Sequence, residues 1–110
     1  MATYEDLCAA VTECGLPFAR IQFDPDDPDG IPDPPFVLLI PRRTLNRMGS
    51  NRMAAKFDAY DVELYTHLSD LALERRLQQA LEARGFCFQR DHASPSDGIA
   101  ETVWSTYCDG

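Results

Sequence analysis

Tyr4, Leu7, Cys8 and Val11 recur three and four residues apart, which predicts a first helix with one apolar stripe. Thr3 stands where an N-cap belongs, and Glu5 and Asp6 suit the positive end of the helix dipole. Gly15 follows the stripe as a natural stop. Phe18-Ala-Arg-Ile-Gln-Phe23 then alternates and predicts a first strand. Asp24 to Pro35 holds four aspartates within six residues and five prolines, so it can neither continue a helix nor pair into a sheet. Phe36-Val-Leu-Leu-Ile40 is an unbroken apolar run, which predicts a central strand buried on both faces.

Gly49-Ser50 predicts a two-residue hairpin turn with glycine first, and its arms are Arg42 to Met48 and Asn51 to Phe57. These arms are too polar for a core, so the hairpin should project from the body. Alternation returns from Phe57 to Thr66, with Tyr60, Val62 and Leu64 on one face and Ala59, Asp61, Glu63 and Tyr65 on the other. Ser69 or Asp70 caps a second helix running to about Arg84. Leu73, Leu77, Ala80 and Leu81 form its inward stripe, while Glu74, Arg75, Gln78, Gln79 and Glu82 face mostly outward. Gly85 ends it. Phe86 to Arg90 reads as a strand, His92 to Glu101 as a polar loop, and Thr102 to Cys108 as the last strand. The order α-β-β-β-α-β-β defines an α+β fold: a mainly antiparallel sheet, two helices packed on one face, and a projecting β-hairpin arm.

The 110 residues suit one domain spanning 1–110 and are too few for two well-packed ones. No run of eighteen apolar residues exists, and the start lacks a basic region followed by an apolar segment, so neither a membrane span nor a signal peptide is expected. A cytosolic chain follows from that reading. Cys8, Cys14, Cys87 and Cys108 match no zinc or redox spacing and read as reduced thiols, and a Cys87–Cys108 bridge would require maturation outside the cell.

A net charge of −8 argues against duplex nucleic acid as a partner. That average hides a segregation. Residues 1–35 hold eight acids against Arg20 alone, a net of −7, whereas residues 41–57 hold Arg42, Arg43, Arg47, Arg52 and Lys56 with no acid, a net of +5.

The Asp24-Pro-Asp-Asp-Pro-Asp-Gly30 run invites a calcium reading, but an EF-hand register from Asp24 puts Pro28 at position 5, Asp29 at position 6 and Pro35 at position 12. A solvated acidic loop is the better reading. No Gly-x-Ser-x-Gly, no His-Glu-x-x-His and no glycine-rich phosphate loop is present. Asp61 and Glu63 share a strand face that reads as solvent- or partner-facing. The chain is therefore expected to be no enzyme and to need no metal or cofactor. What remains is the pair of opposite patches: Arg42, Arg43, Arg47, Arg52 and Lys56 against Asp24, Asp26, Asp27 and Asp29. Identical subunits carrying complementary patches associate head to tail, and such contacts close into rings.

Several segments together resemble the tail-completion proteins of siphophages and prophages (tail terminators or head–tail joining proteins). They are Gly15-Leu16-Pro17, Pro34-Pro35-Phe36-Val37, the strand end Glu63-Leu64-Tyr65-Thr66, the helix Leu73 to Gly85, and the aromatic closing strand Trp104 to Tyr107. The resemblance spans nearly the whole chain. Its basic arm departs from relatives that carry acidic and aromatic residues there, and its Asp/Pro loop is unusually long. The resemblance implies a non-enzymatic virion component that forms a ring, typically a hexamer. Such a ring caps the tail tube protein and later meets a neck or head-closure protein. The chain would then be found in the host cytoplasm during assembly and at the tail–head junction of the virion. A head-closure or minor capsid protein of the same neck is the sibling reading. An acidic nucleic-acid mimic is a third, opposed by the basic arm, and a metal-dependent enzyme has only the Asp loop behind it.

Overall fold

Helix α1 (Tyr4–Glu13) begins where the sequence predicts. The Thr3 hydroxyl accepts from the Asp6 N–H (3.2 Å), and Asp6 Oδ2 accepts from the Thr3 N–H (2.9 Å), a reciprocal cap that satisfies two of the donors a helix start leaves free. A computed structural model describes residues 2–49 and 52–109, and their side chains except at 47–49 and 52–55. The strands are β1 (Phe18–Arg20), β2 (Phe36–Gly49), β3 (Arg52–His67), β4 (Phe88–Ser96) and β5 (Ile99–Asp109), with α2 (Leu71–Ala83) between β3 and β4. They form one five-stranded sheet in the order β1-β2-β3-β5-β4. Of the strand pairings among the described residues, β1–β2 is parallel and the other three are antiparallel. The α+β class, the element order and the two helices on one face are as the sequence predicts.

One contiguous core joins the helices to the sheet. Leu7, Ala10 and Val11 of α1 and Leu73, Leu77 and Leu81 of α2 pack with Val37 and Leu39 of β2, Tyr60, Val62 and Leu64 of β3, and Trp104 and Cys108 of β5. Each large side chain fully buried there contributes about 1.5–3 kcal/mol. Arg84, at the end of α2, pairs with Glu13 and lies 3.8 Å from Asp6, tying the two helices together.

The hairpin of β2 and β3 outruns the rest of the sheet. β5 accompanies β3 only as far as the Phe57–Asp109 pair, while β2 and β3 continue together to the Gly49–Arg52 pair. The molecule consequently measures 51 × 32 × 24 Å. The expected turn at Gly49-Ser50 lies outside the described residues at Ser50.

Several boundaries differ from expectation. The first strand stops at Arg20, because Ile21 adopts φ +73° and Gln22 N–H donates to the Arg20 carbonyl (2.9 Å), closing a three-residue turn. β2 is an interior strand between β1 and β3, as expected, but it is buried on one face only: Val37 and Leu39 are fully covered while Phe36, Leu38 and Ile40 are partly exposed. Phe86 is a core residue outside any strand. The expected polar loop from His92 to Glu101 is instead strand on both sides of a tight Asp97-Gly98 turn, with Gly98 at φ +76°. Its polarity reflects exposure, since β4 is an edge strand. Glu74, expected outward, is 5% exposed.

The four cysteines are free. Cys108 is buried, with its thiol pushed up to about 12 by that burial, whereas Cys87 is exposed just before β4. Among the described residues, no helix is long and apolar enough to cross a membrane.

Candidate functional site

The topology fixes where the two charged segments stand. Parallel neighbours need a long crossover, and residues 21–35 supply it between β1 and β2, so the length of the acidic loop follows from the fold. That loop delivers the chain to Phe36, the first residue of β2, while the basic arm is the far end of the same strand. At about 3.3 Å per residue, the arm runs along β2 from Arg42, roughly 20 Å from Phe36, to Gly49, roughly 40 Å from it. Among the described residues no salt bridge joins them.

Asp24, Asp26, Asp27 and Asp29 are all exposed. Asp24 Oδ1 accepts from the Asp26 N–H and Asp27 Oδ1 from the Asp29 N–H (both 2.9 Å), so two of the carboxylates shape successive turns. The Gly30 N–H donates to the Asp27 carbonyl (2.8 Å) and completes the second. Among the described residues, no three His, Cys, Asp or Glu side chains are placed to hold a metal ion.

On the arm, Arg43 and Lys56 are exposed, and the side chains of Arg47 and Arg52 lie outside the described residues. Arg42 is different. The β2–β3 register slips between Pro41 and Arg43, leaving Arg42 as the extra residue of a bulge. That bulge aims its guanidinium at Asp61, with Nε and Nη2 each 2.6 Å from Oδ2. Glu63 lies 3.9 Å from the same group. Arg42 therefore serves its own sheet first.

The sheet face away from the helices is more elaborate than alternation suggests. Asp61, 9% exposed, also accepts from the Ser105 hydroxyl (2.8 Å). Glu63 accepts from the Tyr65 hydroxyl (3.0 Å), and Glu101 stands opposite Tyr65 on β5. Burial, together with these two carboxylates, raises the Tyr65 phenol far above its ordinary value. Burial also raises the Glu63 carboxyl, against the lowering effect of the Tyr65 hydrogen bond. Asp61 and Glu63 were expected to face solvent or a partner; their own neighbours largely cover them. Asp58, on the opposite face, accepts from Thr44 (2.7 Å).

Beside this network, Phe36 stacks on Tyr65 (centroids 5.0 Å) and meets Phe23 edge-on (5.5 Å). Phe23, Phe36 and Leu38, with Gln22, Pro25 and Ile31, wall a hollow of about 300 Å³ beneath the acidic loop. At the other end of the face an open cleft of about 610 Å³ runs past Arg42, Arg43, Asp61, Cys87, Gln89, Ser105 and Tyr107. Neither feature is apparent in the sequence, because both depend on the crossover loop and the bulge. A signal for the first existed in Phe23 and Ile31, apolar residues bracketing a run of aspartates.

The histidines sit apart from both features. His92 Nε2 lies 2.7 Å from the buried Glu74 carboxylate, joining β4 to α2, and His67 is exposed at the end of β3. No protein-family model matches the chain, and no curated protein matches its sequence.

Proposed function

We propose that this chain is a non-enzymatic bacteriophage assembly protein that forms a ring, most simply a hexamer, caps the tail tube and joins the tail to the head. The observation that carries the reading is the separation of opposite charge. An acidic loop leads into the start of β2 and a basic hairpin forms its far half, from Arg42 roughly 20 Å away to Gly49 roughly 40 Å away, with no salt bridge between them among the described residues. Complementary patches that cannot reach each other within one subunit can do so between subunits, and a contact between different patches propagates head to tail until rotation closes it. The resemblance to tail-completion proteins supplies the context: one ring face stacks on the last tube-protein ring and stops growth, and the other meets the neck or head-closure protein. Neither nucleic acid nor membrane enters this mechanism.

The decisive test reverses the arm. Arg47→Glu with Arg52→Glu should abolish ring formation, seen by electron microscopy and light scattering, while circular dichroism stays unchanged. Tail tubes assembled with the unaltered protein should end in a ring of fixed length. Rings that persist in the double reversal at low salt remove the arm from the interface. Tubes that never acquire a cap remove the tail-completion role.

A further inference from the structure

The open sheet face carries two apolar features that the charge pattern alone does not explain. The hollow lined by Phe23, Pro25, Ile31, Phe36 and Leu38 is walled almost entirely by carbon, yet Ile31 remains 62% exposed. Its border is the exposed acidic loop, with Asp24, Asp26, Asp27 and Asp29. At the root of the arm, Leu45 is 40% exposed and stands opposite Phe57 in the β2–β3 register. The next pair on that face is Arg43 with Ala59, and the half-exposed Tyr107 of β5 lies beside Ala59. One end of the face is thus an apolar recess bordered by anions, and the other an apolar ridge with Arg43 on one side and Asp109 across from Phe57.

We propose that the Leu45–Phe57 ridge of one copy seats in the Phe23–Ile31–Phe36–Leu38 hollow of the next, with Arg43 reaching that copy's acidic loop. This deepens the ring reading and rests on it. The occupant follows from charge: recess against recess would oppose four aspartates to four aspartates, and ridge against ridge would oppose arginine to arginine. The mixed pairing sets Arg43 against four aspartates, and it is the heterologous contact that generates a ring. The apolar parts supply the desolvated centre of the contact, and the charges form a rim that sets the partner and the on-rate. The hollow is open on one side, which suits side chains presented on a neighbouring surface. Leu45 and Ile31 become central to the contact, although neither belongs to the charged segments.

The test is a reciprocal exchange on the full chain, read by sedimentation and light scattering. Leu45→Asp and Ile31→Lys, both at exposed positions, should each weaken self-association about tenfold or more. Leu71→Asp, an exposed leucine at the start of α2 on the opposite layer, should leave it unchanged. Combining Leu45→Asp with Ile31→Lys places a new carboxylate against a new ammonium in the next copy, and part of the lost affinity should return. A purely structural role for either residue would give additive losses. Unchanged association in both single variants overturns the seating and leaves the ring reading standing. So does a double variant no better than the worse single. An unaltered chain that stays monomeric at about 1 mM, a concentration that reveals contacts worth only about 4 kcal/mol, also overturns the seating. The tail-completion reading is then judged separately, by whether the protein still caps tube ends.

Discussion

The two sides of β3 meet their surroundings by different means. Toward the helices it presents Tyr60, Val62 and Leu64, the last two with no exposed surface, and their partners are the leucines of α2 and Trp104. Away from the helices it presents Ala59, Asp61, Glu63 and Tyr65, also largely covered, but by an arginine from a bulge, a serine, a second carboxylate and a stacked phenylalanine. The covered side gains stability from apolar area removed from water, which tolerates no charge. The open side buries polar groups that satisfy one another, so its energy is a small difference between desolvation and pairing. A face built that way adds modestly to folding while keeping apolar ends and charge available at its margins.

That contrast is broken most severely on the covered side. Leu77 is fully buried in α2, and Leu77→Asp places a carboxylate with no partner in the apolar core. The cost, several kcal/mol for the unpaired carboxyl on top of the lost leucine packing, is comparable with the roughly 5–15 kcal/mol that holds a domain of this size together. The expected outcome is loss of the helical circular dichroism signal and of a cooperative thermal transition.

A smaller effect is expected on the open side. Arg42→Ala leaves Asp61, still mostly covered, with the Ser105 hydroxyl alone. A lost charge-assisted hydrogen bond of this kind should cost about 1–2 kcal/mol, read by urea denaturation. Ser105→Ala should cost less, and the double variant should fall short of the sum because both groups serve the same carboxylate. Strict additivity would mean that Arg42 and Ser105 do not act through a shared carboxylate in solution.

The same contrast explains what the sequence discloses. Covered positions are legible because burial against a helix imposes a period: the α1 stripe, the α2 leucines and the Tyr60–Val62–Leu64 alternation all appear where the pattern puts them. Local caps are legible too, since Thr3 and Asp70 act within three residues of themselves. Long-range polar pairing leaves no period. Glu74 looks like one more outward residue of α2 until His92 of β4 is brought against it. Arg42 looks like one more arm charge until a bulge turns it onto Asp61. The β4–β5 hairpin is hidden for a related reason, because an exposed edge strand carries loop-like polar residues, although Asp97-Gly98 marks its turn. The charged segments themselves are plain in the sequence; the hollow and ridge beside them require the register.

The gentlest way to separate the regions is pH. Asp6 accepts from the backbone and hydroxyl of Thr3 at the start of α1, and these hydrogen bonds hold its carboxyl below the ordinary value. A folded-state pKa lowered in this way gives stability that is present above the unfolded value, about 3.9, and is lost as pH falls through the folded value. Glu63 runs the other way. Burial raises its carboxyl, so its contribution is fully present below the unfolded value, about 4.3, and is lost as pH rises through the folded value. Glu63→Gln keeps an oxygen for the Tyr65 hydroxyl and cannot ionise. It should therefore match the unaltered protein at about pH 3.5 and melt higher at about pH 7. Thr3→Ala should melt lower at pH 7, with the difference narrowing as acid protonates Asp6. Melting curves from about pH 3 to pH 8 would show the two differences moving in opposite senses. A Glu63→Gln curve parallel to that of the unaltered protein would mean that the open face hydrates Glu63 in solution, and that its polar network is looser than the helix-covered side by more than packing alone accounts for.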